Sequence, residues 1–242
     1  QHRIVEVVGP ISRWVRRQLN PWSTAVTGRW YGGWREPGAR SSGLVPPGPR
    51  RPAGSTSGIC AVRLQMSPGS WQVPAGKRPG WSWLPPGGVA VPGDLLDYTY
   101  GREHTYSDGS AGAELQHVEF TEPYSTRVRR ELIHGALAAG IDIADSGVMG
   151  VTQGPRLESA AEIRRMKRDG CDMVGMTGMP EAALARELAL DYACLALSVN
   201  WGAGVMGVGD IHAEIHQSIE TGMAKVRAIL SRALPALQAK DE

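Results

Sequence analysis

The 242-residue chain has one phenylalanine, three cysteines and no long apolar run. Cys60, Cys171 and Cys194 are odd in number, far apart and without a Cys-x-x-Cys pair. That spacing argues against a structural zinc site or a disulfide framework, and a reduced, cytoplasmic protein is expected. No stretch approaches about 18 consecutive apolar residues, so no membrane-spanning helix is expected. No charged-then-apolar leader opens the chain, and Gln1 stands where Met is usual, so a missing true start is expected. The length suffices to bury a real core, as one domain or at most two.

Acidic residues are also scarce, but only in one part. Residues 1–87 carry 12 Lys and Arg against Glu6 and Glu36, whereas residues 88–242 carry 14 against 22 acids. Seven of the eight tryptophans and 12 of the 17 prolines fall in that first part. The formal net charge of +2 therefore conceals two compositions, which define a boundary at residues 87/88.

What is present in residues 88–242 reads as strands alternating with helices. "GGVAVPGDLLDYT" (87–99) is apolar with a turn at Pro92-Gly93, and "IDIADSGVMGVTQG" (141–154) is strand-like. Glu122-Pro123 introduces a helix in which Val128, Leu132, Ile133, Ala136 and Leu137 recur at helical spacing, with Gly140 as its stop. "ESAAEIRRMKRDG" (158–170) is an amphipathic helix with basic residues late and Gly170 beyond its end. Strand 171–176, helix 180–189, strand 192–200 and a helix from about Asp210 to about Leu234 follow. This order predicts an α/β fold, with a mixed, mostly parallel central sheet flanked by helices.

Three of these strands end in small or polar residues: Val151-Thr152-Gln153-Gly154, Met176-Thr177-Gly178 and Val199-Asn200. Ligands of open α/β sheets bind outside the carboxyl ends of strands, and helix N-termini there present free N–H groups to anions. Thr177 either holds a phosphate-like group before the helix that Pro180 begins, or simply makes a tight turn with Gly178. No Ser-His-Asp order, HExxH or GxxxxGK[ST] occurs in this part. Amides and hydroxyls at the strand ends make poor bases. They can orient a substrate and stabilise charge as it develops on a leaving group.

Five segments carry a resemblance: "VPGDLLDYTYGREHTY" (91–106), "HVEFTEPY" (117–124), "TQGPRLESAAE" (152–162), "VGMTGMPEAALAREL" (174–188) and "YACLALSVN" (192–200). Through them residues from about 85 to 237 resemble the trimeric purine nucleoside phosphorylase family, in particular its methylthio-nucleoside branch. The resemblance implies phosphorolysis, in which phosphate attacks C1′ of a purine nucleoside to give free base and a pentose 1-phosphate. It implies phosphate contact at Thr177, ribose packing by Met176, Leu157 near the base, and Asn200 and Glu158 reading the purine. It further implies a homotrimer, with phosphate as co-substrate and no metal or organic cofactor.

Asn200 and Glu158 also speak chemically. An amide offers donor and acceptor together, matching O6 and a protonated N7. A carboxylate accepts from N1–H, which hypoxanthine and guanine carry and neutral adenine lacks. Both favour a 6-oxopurine, and a site built on specific donors discriminates strongly. Taken alone, an Asn ending a strand and a Glu in a first helical turn are equally ordinary structural residues. At the 5′ end the signals divide. His212 matches a histidine of relatives that bind a 5′-hydroxyl, whereas His117 matches a residue lent to the neighbouring subunit's pocket in the methylthio branch. Methylthioinosine is the expected substrate, ahead of inosine or guanosine and then methylthioadenosine, with an inactive purine-binding remnant as the further alternative.

Residues 1–87 depart from the family. "RIVEVVGPIS" (3–12) keeps a strand and one glycine, but Pro10 stands where relatives continue a Gly-Gly-Thr-Gly phosphate loop, and no Arg-His-Gly phosphate segment follows. Residues 13–58 show no sustained period and are rich in breakers. Excess Arg, Gly, Pro, Trp and Ser, with Lys and Asp nearly absent, is what a GC-rich gene yields out of frame. A shifted reading frame from about residue 10 to about residue 85 is expected. A basic arm binding nucleic acid and a disordered leader are the rival readings. Nucleic acid is not the expected partner.

Overall fold

The computed structural model describes residues 4–8, 59–68, 84–107, 109, 117–205 and 211–238, with backbone alone at 4–8, 59–68 and 211–212. In chain order the elements are β1 (Ile4–Val8), β2 (Ile59–Pro68), β3 (Val89–Ala90), β4 (Asp94–Asp97), α1 (Thr126–Ala138), β5 (Val148–Val151), α2 (Ala160–Asp169), β6 (Met173–Gly175), α3 (Glu181–Glu187), β7 (Asp191–Asn200) and α4 (Ile211–Gln238). Residues 13–58, read above as free of period, lie outside the described residues.

Every β7 residue from Tyr192 to Asn200 is buried. A continuous apolar strand of this kind belongs inside a sheet covered on both faces. β2 pairs with it in parallel on one side and β3 antiparallel on the other, and β1 extends the sheet in the order β1-β2-β7-β3. β4, β5 and β6 form a second, wholly parallel ladder. The class is thus the expected α/β with mostly parallel pairing, drawn as two ladders. A parallel bridge between Ala90 and Ala144 joins the run containing β3 to the segment leading into β5.

The strand expected over 141–154 is ladder-paired only at Val148–Val151. Its first half is held instead by the Ala90–Ala144 bridge and by Arg129, which donates from Nη2 to the Asp145 carbonyl at 2.8 Å. β1 and β2, both within the first 87 residues, hydrogen-bond into the sheet of β7.

The helices begin and end where side chains satisfy their free backbone groups. Ser125 caps α1 by accepting from Val128 N. Ser159 and Glu162 form a reciprocal capping box at α2, and Gly170 closes it at φ 98°. α4 lies against α1 and β7 through two glycines. A Cβ on Gly135 would come within 2.8 Å of the Ile229 carbonyl oxygen, and one on Gly222 within 2.2 Å of Leu197 Cδ1. These contacts enclose Leu132, Leu195, Leu197, Ile229 and Leu230, all fully buried. Each such side chain stabilises the fold by about 1.5–3 kcal/mol through burial. Among the described residues no helix is long and apolar enough to cross a membrane.

Candidate active site

The parallel β4–β5–β6 ladder puts three carboxyl ends on one edge. Tyr98 N donates to the Val151 carbonyl and Thr152 N to that of Gly175, each at 2.8 Å, so the pairing continues just past the strands. Beyond it the chain turns away at Gln153-Gly154 and at Met176-Thr177-Gly178. Gly154 sits at φ +62°, and a Cβ there would come within 2.6 Å of Met176 Sδ. Both the conformation and the close approach call for glycine. They bring the exit of β5 against Met176. Met176 is half-buried and Thr177 exposed.

Glu158 is 7 % exposed and Thr152 9 %. Thr152 Oγ1 donates to Glu158 Oε1 at 2.5 Å. A carboxylate this buried costs free energy unless it is hydrogen-bonded, and Thr152 provides that partner. Next to it Arg156 donates to both oxygens of Glu162, at 2.8 and 2.7 Å, and Ser159 N donates to Glu162 Oε2 at 2.7 Å. These bonds hold the Glu162 carboxyl down at about 2 and raise the Arg156 guanidinium. The turn presenting Glu158 is therefore tied at both ends.

Asn200 ends β7 buried, and its Nδ2 donates to the Trp201 carbonyl at 2.8 Å. The following loop folds onto the start of α2: a Cβ on Gly204 would lie 2.7 Å from Ala160 Cβ. That contact draws the end of β7 toward the Glu158 turn. Leu157, 44 % exposed, and Tyr100, 73 % exposed, leave apolar surface open beside it. Met176, Thr177, Leu157, Glu158 and Asn200 thus all lie at strand exits or the loops leaving them.

His117 is exposed at the head of the segment leading to Tyr124. His212 falls in the first turn of α4 by its backbone, and its side chain lies outside the described residues. α3 is only seven residues long, and its N-cap Pro180 makes no side-chain capping bond. Among the described residues no group of three or more His, Cys, Asp or Glu is placed to hold a metal ion.

Two residues beside the candidate site were given no role by the sequence. Thr152 was visible only as a polar strand end, with nothing local to pair it with Glu158. Arg102, inside the "YGREHTY" segment, donates from Nε to Gln153 Oε1 at 3.1 Å and from Nη2 to the Gln153 and Thr152 carbonyls at 2.8 and 3.2 Å. Its Nη1 donates to the Met179 carbonyl. Burial lowers the guanidinium's affinity for its proton, and nearby Asp97 opposes this.

A parallel sheet edge with a buried Glu158 and Asn200 near it, and an exposed Thr177 on the turn after β6, is the kind of place where α/β proteins bind small molecules. The family model of the phosphorylase superfamily matches residues 82–235, and the chain belongs to that superfamily. It is 53 % identical over 150 residues, 62 % of this chain, to a probable S-methyl-5′-thioinosine phosphorylase of Pseudomonas syringae pv. tomato. It is 57 % identical over 116 residues, 48 % of this chain, to a protein of the same description in Xanthomonas campestris pv. campestris. The matched stretch spans 61 % and 46 % of those relatives' own lengths. Among solved structures, methylthioadenosine phosphorylase from Schistosoma mansoni, in complex with tubercidin, superposes with a TM-score of 0.64 at 25 % identity. The match covers 75 % of this chain and 66 % of that one.

Proposed function

We propose that the chain phosphorolyses a 6-oxopurine nucleoside, with S-methyl-5′-thioinosine as the leading substrate. Phosphate attacks C1′, the C1′–N9 bond breaks, and hypoxanthine and 5-methylthioribose 1-phosphate leave. The observation that carries this reading is the buried Glu158 held by Thr152, at the turn toward which the loop after Asn200 folds. Glu158 accepts from N1–H of a 6-oxopurine. Asn200 donates to O6 and accepts from N7–H, and these contacts strengthen as the departing base gathers negative charge. Thr177 contacts phosphate and Met176 packs on the ribose. The open apolar side chain of Leu157 flanks the base. The names of the two bacterial relatives support the methylthio substituent.

The reading needs no cofactor beyond phosphate as co-substrate. It takes the protein as a cytoplasmic homotrimer in which His117 of one subunit serves the 5′ pocket of the next. Analytical ultracentrifugation tests the trimer. It also takes the stretch between about residues 10 and 85 as the product of a shifted frame. The backbone pairing of β2 with β7 counts against this for residues 59–68, and resequencing the source DNA tests it.

The deciding experiment is base release by the purified 242-residue chain, with and without phosphate, from methylthioinosine, inosine and methylthioadenosine. Phosphate-dependent hypoxanthine release supports the reading, fastest from methylthioinosine. Preference for inosine would support the second reading, a 5′-hydroxyl substrate, which rests on the likeness of His212 to a histidine of relatives that bind a 5′-hydroxyl. Release from methylthioadenosine alone would overturn the roles of Asn200 and Glu158. No release from folded protein would leave a purine-binding remnant.

A further inference from the structure

The segment after β4 crosses the edge where the site lies. Tyr100 N donates to Gln153 Oε1 at 3.2 Å, and farther along Thr105 Oγ1 donates to Glu187 Oε1 at 3.0 Å. Between these anchors Arg102 sends its guanidinium inward to two separate turns. Nη2 takes the carbonyls of Thr152 and Gln153 at the exit of β5, and Nη1 takes that of Met179 at the entry to α3. One flat, five-donor fork thus bonds to both turns at once.

The two turns have different tasks under the phosphorylase reading. The first carries Thr152, whose hydroxyl fixes Glu158 at 2.5 Å. The second carries Thr177 two residues before Met179. The same turn packs Met176 against Gly154. Among the described residues Arg102 donates to carbonyl and amide oxygens only, with no carboxylate in hydrogen-bond contact. Its bonds therefore go into holding backbone rather than into a local ion pair.

We propose that Arg102 is a positioning residue that sets the purine-reading turn against the sugar- and phosphate-binding turn. The inference rests on the phosphorylase reading for the tasks of the two turns, but not for the clasp itself. Misplacing groups by about an ångström costs on the order of a hundredfold in rate without touching the reacting atoms.

The test compares the full wild-type chain with Arg102→Met and Arg102→Lys, by steady-state kinetics and by amide hydrogen exchange. In Arg102→Met the amides of residues 152–157 and 176–182 exchange faster together, while kcat/KM falls about a hundredfold with KM raised for both nucleoside and phosphate. Arg102→Lys, keeping charge and some donors, recovers part of the loss. If Arg102→Met only lowers the folded fraction, with both KM values within about twofold of wild type, the proposal is overturned. Unchanged exchange in either turn also overturns it. Should wild type itself release no base, the phosphorylase reading falls, and exchange alone decides the clasp: joint loosening upholds it and anything else overturns it.

Discussion

Thr152 Oγ1 and Glu158 Oε1 lie 2.5 Å apart though six positions separate them in the chain, both residues less than one-tenth exposed. The hydroxyl is also within 3.4 Å of the Gly175 carbonyl, so its single hydrogen faces two acceptors and the carboxylate is the nearer. Thr152→Val keeps the shape and removes the donor, leaving a buried carboxylate oxygen short of a partner. The expected cost is about 1–3 kcal/mol, shared between stability and purine binding. Calorimetric titration with hypoxanthine and thermal unfolding apportion it, and Thr152→Ser restores most of it. Unchanged hypoxanthine affinity in Thr152→Val would detach Glu158 from purine reading.

Gly154 meets Met176 so closely that no side chain fits between them. Gly154→Ala adds a Cβ 2.6 Å from Met176 Sδ at a backbone φ of +62°. Strain of about 1–2 kcal/mol is expected from the conformation, and Met176 must swing aside as well. Nucleoside KM then rises more than phosphate KM, because Met176 is assigned to the ribose. Equal rises in both would argue against that assignment.

How far the sequence disclosed this arrangement depends on the range of each interaction. β7 was legible because its apolar run is long and bounded. α1 and α2 were legible through periodic apolar positions and stops at Gly140 and Gly170, glycines with φ of +66° and +98°. β2 was not. "ICAVRLQMSP" falls in the stretch read as out of frame, yet its backbone pairs with β7 from Cys60 opposite Asp191 onward. The strand expected over 141–154 was too long, because Ala144 makes only a bridge. At the site, Leu157, Glu158, Met176, Thr177 and Asn200 could be named from strand ends and the family resemblance. Arg102 could not: its bonded partners lie 50 to 77 positions away, and nothing local marks a guanidinium that will bridge two turns.

The contact between α4 and the central strand makes a stability prediction independent of function. A Cβ on Gly222 would fall 2.2 Å from Leu197 Cδ1 and 2.9 Å from Cδ2. Gly222→Ala gains helix propensity but overpacks a core in which Leu197 is fully buried. A net loss of about 1–3 kcal/mol is expected in urea unfolding. The double variant Gly222→Ala, Leu197→Val should recover part of it, since the offending branch is shortened. If the two substitutions simply add, α4 does not press on Leu197 as described.

The turn before α2 carries an acid-sensitive contact whose sign can be worked out. Hydrogen bonds from Arg156 and Ser159 pull the Glu162 carboxyl from 4.5 to about 2. A carboxyl depressed on folding stabilises the folded state fully above its unfolded value. That contribution begins to fade near pH 4.5 and is gone once pH has fallen through about 2. Glu162→Gln removes the ion pair and weakens the capping box, so wild type and variant should differ at pH 6 and converge only once pH has fallen through about 2. Amide exchange over 158–163, followed as pH falls, reads this locally after correction for intrinsic exchange rates. Because Glu158 sits one residue before the cap, loosening there should appear in the variant at pH 6 as weaker hypoxanthine binding. A variant that frays α2 but keeps wild-type affinity would show that Thr152 alone holds Glu158 in place.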